Sequence, residues 1–454
     1  MRKCLWVGVF LAFTLTWGSS AWAEVIKITV DARGGEAETT RVTIFNDAVE
    51  ALNKQLKKEG SDIQVKLQKN FFVGDRTDHM QRFILASKAG VAPDIFEENH
   101  DLFAILAKAG YVIPLDDYVK KYWKGVYDDF YAGLWASAKY AGKTWTIPQD
   151  STAAVIYFNK MVLRKLGWDE NRINKMVEDV EKGTFTLQDM GLLAKEAVDK
   201  GAAKSGIYHR PSHGGWYQVI YLDHGGKLQD PVSGKLVLDK SSSLAQLQFY
   251  YDLVHTWKVT PKGMTSMDWR VIRQNFLQGD ALFWLYGSWE WGGLPRSGYY
   301  VGDRKVDEDF MWENIGFMLV PAPKKGGTPA TLSQPFSHGI SSSCKYPEIA
   351  FRLVTFASSP ELVARHAILT GHLAVRKAST EVPMYKNDKF TTEVTKMLKY
   401  TNTLPNHPLW GKYRDLIYQS VQAVEVGGLK PAEALEWLVD QMKTTLKDEV
   451  EIVE

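Results

Sequence analysis

The fold is decided by residues 26–67, IKITVDARGGEAETTRVTIFNDAVEALNKQLKKEGSDIQVKL. Apolar side chains alternate over 26–30, which is the pattern of a β-strand, and then recur at helical spacing over 42–56 until Gly60 ends the helix. Alternation returns over 63–67 and predicts a second strand. A strand, a helix and a strand in succession predict the first unit of an α/β protein.

The rest of the chain continues this mixture of helices and strands. Ser359 and Pro360 have the residue types of a helix cap and first helical position, and Pro431 precedes an apolar stripe that ends at Leu446. Strands that alternate with helices over 454 residues predict parallel sheets covered on both faces, in two or three domains. In such sheets, ligands bind beyond the carboxyl ends of the strands, and DARGGEAE at 31–38 is predicted to be one of the loops there.

The N-terminal segment MRKCLWVGVFLAFTLTWGSSAWAE has the features of a secretory signal. Two cations precede an apolar run, and Ala21-Trp22-Ala23 fits a small-residue cleavage site. The alternative is a membrane anchor, but the run is short for a spanning helix, so we expect cleavage after Ala23. Cys4 lies before the apolar run, which argues against a lipid-anchored lipoprotein.

Charge and cysteine content exclude several classes of protein. The formal net charge is +2, and the predicted signal carries Arg2 and Lys3 with no acid, so the chain beyond it is neutral. A neutral chain does not favour nucleic acid or an anionic membrane as a partner. Only Cys344 remains beyond the signal, so no disulfide can form within the mature chain.

Two segments resemble motifs of phosphate-binding and metal sites, but neither has the pattern that such a site requires. SAKYAGKT at 137–144 imitates a phosphate loop, but Ser137 stands where the first glycine must be. Pro211 separates His209 from His213 and forbids the helix that would bring both rings to one metal. We therefore expect no cofactor, no metal and no enzyme activity.

Tryptophans in glycine-flanked loops carry the chemical signal. In ALFWLYGSWEWGGL, residues 281–294, Trp289 follows a Gly-Ser turn that argues against a buried strand interior. An indole at the mouth of a cleft offers an apolar face, which matches the C–H face of a pyranose ring. Carboxylates, amides and arginines would then bind the hydroxyl rim, because each buried unpaired hydroxyl costs roughly 1–3 kcal/mol. The residues thus favour a carbohydrate ligand.

Several segments, in this order, resemble the periplasmic sugar-binding proteins of ABC importers, of the maltose-binding type. They are GVAPDIFEENHDLFAILAKAGYVIPLDDYV (90–119), YAGKTWTIPQDSTAAVIYFNKMVL (140–163), GSWEWGGL (287–294), VPAPKKGG (320–327) and CKYPEIAFRLVTFASSPE (344–361). The resemblance covers essentially the whole chain beyond the signal. Two departures concern the particular sugar: Thr152 stands near a ligand-binding carboxylate of relatives, and Glu98 where some carry an aromatic ring.

The resemblance implies a two-lobed type II periplasmic-binding-protein fold, each lobe a sheet flanked by helices. One lobe would hold residues 24–151 and 316–368, and the other 152–315 and 369–454. Ligand would bind in the cleft and close the lobes by hinge bending, because only the closed form makes both sets of contacts.

Ten residues are predicted to bind the ligand. They are Arg33, Glu98, Asp101, Asp150, Trp216, Tyr217, Trp289, Trp291, His372 and Trp410. Each has a structural alternative: Arg33 and Asp150 in surface ion pairs, Asp101 as a helix cap, Trp216 in the core, and Trp291 packed behind Trp289.

The implied partners are a small carbohydrate and the permease of an ABC transporter in the inner membrane, with a chemoreceptor left open. A monomer in the periplasm is expected. Two rival functions stay open: a carbohydrate-active enzyme that uses Glu98 with Asp150 or Glu290, and a binder of a polyol, metal chelate or organic acid. Arg33 and Arg210 keep an acidic or phosphorylated sugar open.

Overall fold

The computed structural model describes residues 24–35 and 38–454, so the predicted signal segment lies outside the described residues. The strands are β1 (Glu24–Gly34), β2 (Ile63–Val73), β3 (Ile95–Asn99), β4 (Lys139–Tyr140), β5 (Lys143–Thr144), β6 (Ile147–Asp150), β7 (Ala154–Asn159), β8 (Ser205–Tyr208), β9 (Leu236–Asp239), β10 (Ala281–Gly287), β11 (Tyr300–Val301), β12 (Arg304–Lys305), β13 (Ile315–Met318), β14 (Thr331–Ser333), β15 (Phe336–Ile340), β16 (Thr401–Thr403) and β17 (Val450–Val453).

The helices alternate with these strands along most of the chain. They are α1 (Thr40–Lys58), α2 (Arg76–Lys88), α3 (Phe103–Lys108), α4 (Asp116–Tyr122), α5 (Ala132–Ala136), α6 (Lys160–Lys165), α7 (Glu170–Glu181), α8 (Leu187–Asp199), α9 (Gln218–Asp223), α10 (Lys240–Tyr251), α11 (Trp269–Leu277), α12 (Glu290–Arg296), α13 (Glu308–Asn314), α14 (Pro347–Ala357), α15 (Pro360–Thr370), α16 (Lys377–Thr380), α17 (Pro383–Lys386), α18 (Lys389–Met397), α19 (Trp410–Glu425) and α20 (Pro431–Leu446).

The opening strand, helix and strand form as the apolar periodicity predicts. β1 and β2 pair in parallel from Glu24 opposite Ile63 to Gly34 opposite Val73. The predicted loop at 31–38 therefore starts too early, since β1 continues to Gly34. Pairing with the equally long β2 extends the strand past the point where the apolar alternation stops.

The first lobe is built on a five-stranded sheet of order β2-β1-β3-β15-β6. One face of this sheet packs with α1, α14 and α15, and the other packs with a smaller aromatic cluster that includes Phe83, Phe96 and Phe103. The first three strands are parallel, but β15 is antiparallel to both β3 and β6. The prediction of parallel sheets therefore holds for β2, β1 and β3 but is wrong for β15, because β6 leaves for the other lobe and β15 brings the chain back.

The second lobe is built on a four-stranded sheet of order β13-β7-β10-β8. Along β7, Ala154, Ile156 and Phe158 enter one apolar cluster, whereas Val155 and Tyr157 enter another. This two-residue period shows that the sheet is buried on both faces. β13 pairs with β7, and Leu319 to Leu332 also pack in this lobe, although the sequence-based division assigned residues from 316 onward to the first lobe.

Three chain segments cross between the two sheets side by side. Ser151, after β6, exchanges backbone hydrogen bonds of 2.9 and 2.8 Å with Leu373. Thr152 Oγ1 accepts a hydrogen bond of 3.3 Å from the backbone N–H of Gln334, between β14 and β15.

No helix within 24–35 and 38–454 combines the length and apolar character needed to cross a membrane.

Candidate functional site

A cavity of about 250 Å³ opens between the lobes, where strands of both sheets end. Its wall is formed by Arg33, Glu38, Gly74, Asp75, Arg76, Asn99, Thr152, Arg210, Trp216, Tyr286, Trp289, Gln334, Phe336 and His372. The first lobe contributes the carboxyl ends of β1, β2 and β3, and the second contributes Tyr286 near the end of β10 and residues that follow β8 and β10. Thr152, Gln334 and His372 belong to the three crossing segments.

Trp289 stands at the corner where β10 ends and α12 begins. Ser288 fixes this corner, since its N–H donates to the carbonyl of Ala153 at 2.8 Å and its hydroxyl accepts from the N–H of Ala153 at 3.1 Å. The indole folds back over Gly287, where a Cβ atom would lie only 1.8 Å from the ring. Glycine at 287 is therefore required for the position of the Trp289 ring.

An aromatic cluster surrounds this indole. The ring of Trp216 meets Trp289 edge to face at a centroid distance of 5.1 Å, and Tyr286 does so at 4.9 Å. The His372 ring lies nearly parallel to Trp289, at 6.4 Å and 13°. Burial lowers the pKa of His372 to about 4, so this ring is neutral at physiological pH. The second lobe thus presents an apolar surface with few charges.

The first lobe presents Arg33, held by a buried carboxylate. Its Nε and Nη2 donate to the two oxygens of Glu98 at 2.7 and 2.9 Å. Glu98 is fully buried and also contacts His79 Nδ1 at 3.0 Å. Although burial alone would raise the pKa of Glu98, Arg33 and His79 hold it well below the usual range. Glu98 therefore orients Arg33 instead of facing the cavity itself.

Arg76 is anchored in a similar way. This first residue of α2 donates from Nη2 to Asp101 Oδ2 at 2.9 Å, and the other oxygen of Asp101 accepts from Gln334 Nε2 at 3.0 Å. Asp101 is buried, and burial opposes its ionisation while Arg76 lowers its pKa. It links two cavity-lining side chains, one of them on a crossing segment.

A third ion network lies behind the cavity floor. Arg41 is fully buried and donates to Glu97 at 2.8 Å and Asp150 at 2.7 Å. Its guanidinium carbon lies 3.6 Å from the centroid of the Phe336 ring, which covers it on the cavity side. Burial raises the pKa of Glu97 to about 8, whereas for Asp150 the combined effect of Arg41, His372 and His366 outweighs burial and lowers the pKa. This network supports the floor and offers no free charge to a ligand.

The predicted residues divide by their position in this geometry. Four of the ten line the cavity: Arg33, Trp216, Trp289 and His372. Six do not, namely Glu98, Asp101, Asp150, Tyr217, Trp291 and Trp410. The three acids are buried in ion pairs with arginines.

The three remaining aromatic side chains are structural. Trp291 stacks on Phe390 at 4.9 Å and does not line the cavity. Trp410 stacks on Tyr413 within the main core of the second lobe, and Tyr217 donates its hydroxyl proton to the carbonyl of Arg210 at 2.5 Å. Apolar contacts bury all three rings, so they lie behind the cavity wall.

Sequence reasoning did not select several wall residues. Gly74, Asp75 and Arg76 directly follow β2, and Asn99 ends β3. The rule that ligands bind beyond the carboxyl ends of parallel strands would have found them if applied strand by strand. Tyr286 and Phe336 lie on strands that read as buried, and no local signal distinguishes them from core residues.

The acids of the alternative enzyme function lie away from the cavity. Glu98, Asp150 and Glu290, the acids considered for an acid–base pair, are all buried in ion pairs, with Glu290 bound by Arg273 at 2.6 Å. None of the three lines the cavity. Within the described part of the chain, no group of three or more His, Cys, Asp or Glu side chains is arranged to hold a metal ion.

Comparisons with known proteins identify relatives over most of the chain. The family of bacterial extracellular solute-binding proteins matches residues 17–364. A maltooligosaccharide ABC transporter solute-binding lipoprotein from Streptococcus pneumoniae strain R6 is 23% identical over 410 residues, 86% of each chain. A maltotriose-binding protein from Pyrococcus abyssi is 21% identical over 327 residues, which span 72% of this chain but only 64% of the relative.

A solved structure supports the fold over nearly the full length. The GacH receptor of Streptomyces glaucescens, crystallised unliganded and with acarbose, has a TM-score of 0.71 at 19% identity and covers 94% of this chain and 99% of its own. The predicted two-lobed type II periplasmic-binding-protein fold is confirmed.

Proposed function

The chain belongs to the bacterial extracellular solute-binding proteins, and from that premise we propose that it is the carbohydrate-binding component of an ABC importer. It would bind a mono- or oligosaccharide between its lobes and deliver it to the permease. The names of its relatives support this class of ligand, since they describe proteins for maltotriose and maltooligosaccharides.

The observation that carries the proposal is the composition of the cavity wall. Trp216 and Trp289 form an apolar surface on one lobe, while Arg33, Arg76 and Asn99 offer hydrogen-bonding groups on the other. A pyranose needs both kinds of contact at once, because its C–H face is apolar and its rim is polar. The buried carboxylates behind Arg33 and Arg76 preorganise the polar side and reduce the entropy lost on binding.

We infer that the lobes close on the ligand about the three crossing segments. The predicted division was 24–151 with 316–368 and 152–315 with 369–454. The packing of residues 315–333 on the four-stranded sheet favours moving the second boundary to about 334. Ala374 and Val375 pack with the first lobe, which favours moving the third boundary beyond them.

The proposed location is the periplasm, after cleavage behind Ala23. The family is extracellular by its description, which supports export. The proposed partners are a small carbohydrate and the membrane permease. A monomer and recognition by a chemoreceptor remain predictions, and catalysis is not part of the proposal because the names of the relatives describe binding proteins.

Thermal unfolding of residues 24–454 in the presence of sugars tests the proposal. The panel contains neutral mono- and oligosaccharides, polyols, sugar acids and amino acids. A ligand at 100 times its Kd adds about 2.7 kcal/mol to the stability of the folded state, which raises the unfolding midpoint. A rise with one class of saccharide is expected. A rise with amino acids or polyols alone, or the release of product from a glycoside, would contradict it.

A further inference from the structure

Arg210 differs from the other arginines of the cavity wall. Arg33 and Arg76 are each neutralised by a buried carboxylate, at 2.7 and 2.9 Å. Arg210 has no carboxylate within ion-pair distance among the described residues. Its Nε donates to the carbonyls of Ser212 and His213 at 2.9 and 2.8 Å, and its side chain lies beside the Tyr286 hydroxyl. No carboxylate of the described residues therefore neutralises its guanidinium.

The loop after β8 is built to hold this side chain. Gly214 closes the loop on the guanidinium, since a Cβ atom there would lie 2.4 Å from Arg210 Nε. The carbonyl of Arg210 accepts the Tyr217 hydroxyl at 2.5 Å and contacts His209 Nδ1 at 2.9 Å. His209 is in turn paired with the buried Glu425 at 2.6 Å. Both the backbone and the side chain of Arg210 are thus fixed before any ligand arrives.

Arg210 and the aromatic side chains lie in the same cavity wall. It lines the same cavity as Trp216, Tyr286 and Trp289, so a sugar stacked on the indoles would have Arg210 beside it. A guanidinium without a carboxylate partner in the described residues matches the planar geometry of a ligand carboxylate, to which it can donate two parallel hydrogen bonds. A neutral sugar would leave the strongest donor of this lobe without a charged acceptor.

We propose that the saccharide bound here is an acidic one, and that Arg210 binds the carboxylate of a uronic acid unit. This inference rests on the proposed sugar-binding function and specifies its ligand class. Arg210 offers a positive charge that no carboxylate of the described residues pairs with at ion-pair distance. Glu38 and Asp75 also line the cavity and repel anions, and this repulsion is stronger for a doubly charged phosphate than for a singly charged carboxylate.

Calorimetric titration with matched pairs tests the proposal directly. The pairs are galactose and galacturonate, glucose and glucuronate, mannose and mannuronate, and neutral and uronate di- and trisaccharides. The uronate member of one pair should bind at least roughly tenfold more tightly, as expected for a hydrogen-bonded charge pair. Glucose 6-phosphate and galactose 6-phosphate are included to separate the two kinds of anion.

Substitutions at position 210 test whether the Arg210 side chain causes the preference for the uronate. Arg210→Gln should weaken uronate binding by roughly 10- to 100-fold and binding of the neutral member by a much smaller factor, and Arg210→Lys should fall between, because it keeps the charge but not the planar fork. Arg172→Gln is the matched control, since Arg172 lies exposed over Trp168 at 4.0 Å and away from the cavity wall. Circular dichroism and unfolding midpoints check that each variant folds.

The outcomes separate this inference from the function on which it rests. Equal or tighter binding of the neutral members would overturn the acidic ligand and leave sugar binding intact. Tighter binding of the phosphates, or an equal loss for both members of a pair in Arg210→Gln, would also overturn it, the latter assigning Arg210 to lobe closure. Failure of every saccharide to bind would overturn both proposals.

Discussion

Replacing Trp289 by alanine tests the central contact of the proposed site. The Trp289 ring is only partly buried in the protein, and its position is fixed by Gly287 and by edge contacts with Trp216 and Tyr286. One face of an indole can cover roughly 100 Å² of ring and sugar C–H surface. At about 25 cal/mol per Å², its removal costs about 2.5 kcal/mol, or roughly 60-fold in Kd.

The ligand for this measurement is the saccharide that raises the unfolding midpoint most. Titration calorimetry of the wild type and Trp289→Ala gives the two Kd values. Trp168→Ala is the matched control, because Trp168 is also a partly buried tryptophan of the second lobe but does not line the cavity. We expect this control to lose stability and keep its Kd.

An unchanged Kd in Trp289→Ala would refute the stacking role. An equal loss in Trp289→Ala and Trp168→Ala would also refute it, since the effect would then come from general destabilisation. Micromolar affinity requires about 8 kcal/mol, so stacking supplies less than half, and the polar wall of the first lobe must supply much of the remainder.

Three further predictions follow from buried groups and from the hinge. Trp291→Ala should lower the free energy of unfolding by about 3–5 kcal/mol, since the ring is buried against Phe390, and should change Kd little. A loss of affinity without destabilisation would instead place Trp291 in the site. Burial raises the pKa of Asp223 to about 9, so the contribution of this side chain to stability is lost as pH rises from about 4 to 9. Asp223→Asn should therefore stabilise the protein by at least about 1 kcal/mol more at pH 8 than at pH 5, as measured by urea denaturation. An equal effect at both pH values would contradict this prediction. Small-angle scattering should give a smaller radius of gyration with saturating saccharide, and an identical profile would argue against closure.

Much of the fold could be predicted from local patterns. The period of two in β1 and β2, the helical period of α1, and the cap formed by Ser359 before Pro360 depend on near neighbours in the chain. The antiparallel position of β15 and the assignment of β13 to the second sheet could not be predicted, because pairing is decided between segments far apart in the chain.

The candidate site was predictable only in part. Trp289 was recognised because glycine and serine mark a turn, and the structure adds why glycine is required at 287. The wall positions of Tyr286 and Phe336 carry no such mark. Glu98 and Asp101 were predicted to bind the ligand because they are acids that follow an apolar segment. Their carboxylates instead lie behind the cavity wall, where they pair with arginines, and a sequence does not show which way a side chain faces.

The sequence by itself determined the class of elements, their order, the family resemblance and the aromatic character of the proposed ligand surface, because these depend on composition and spacing. Tertiary structure alone decided which charges cancel. Arg33, Arg76 and Arg210 look alike in the sequence, but the carboxylates of the first two come from residues 65 and 25 positions further along the chain. Within 24–35 and 38–454, no carboxylate lies within ion-pair distance of the third. Free charge in a cleft is a sum over distant neighbours, and only the fold brings those neighbours together.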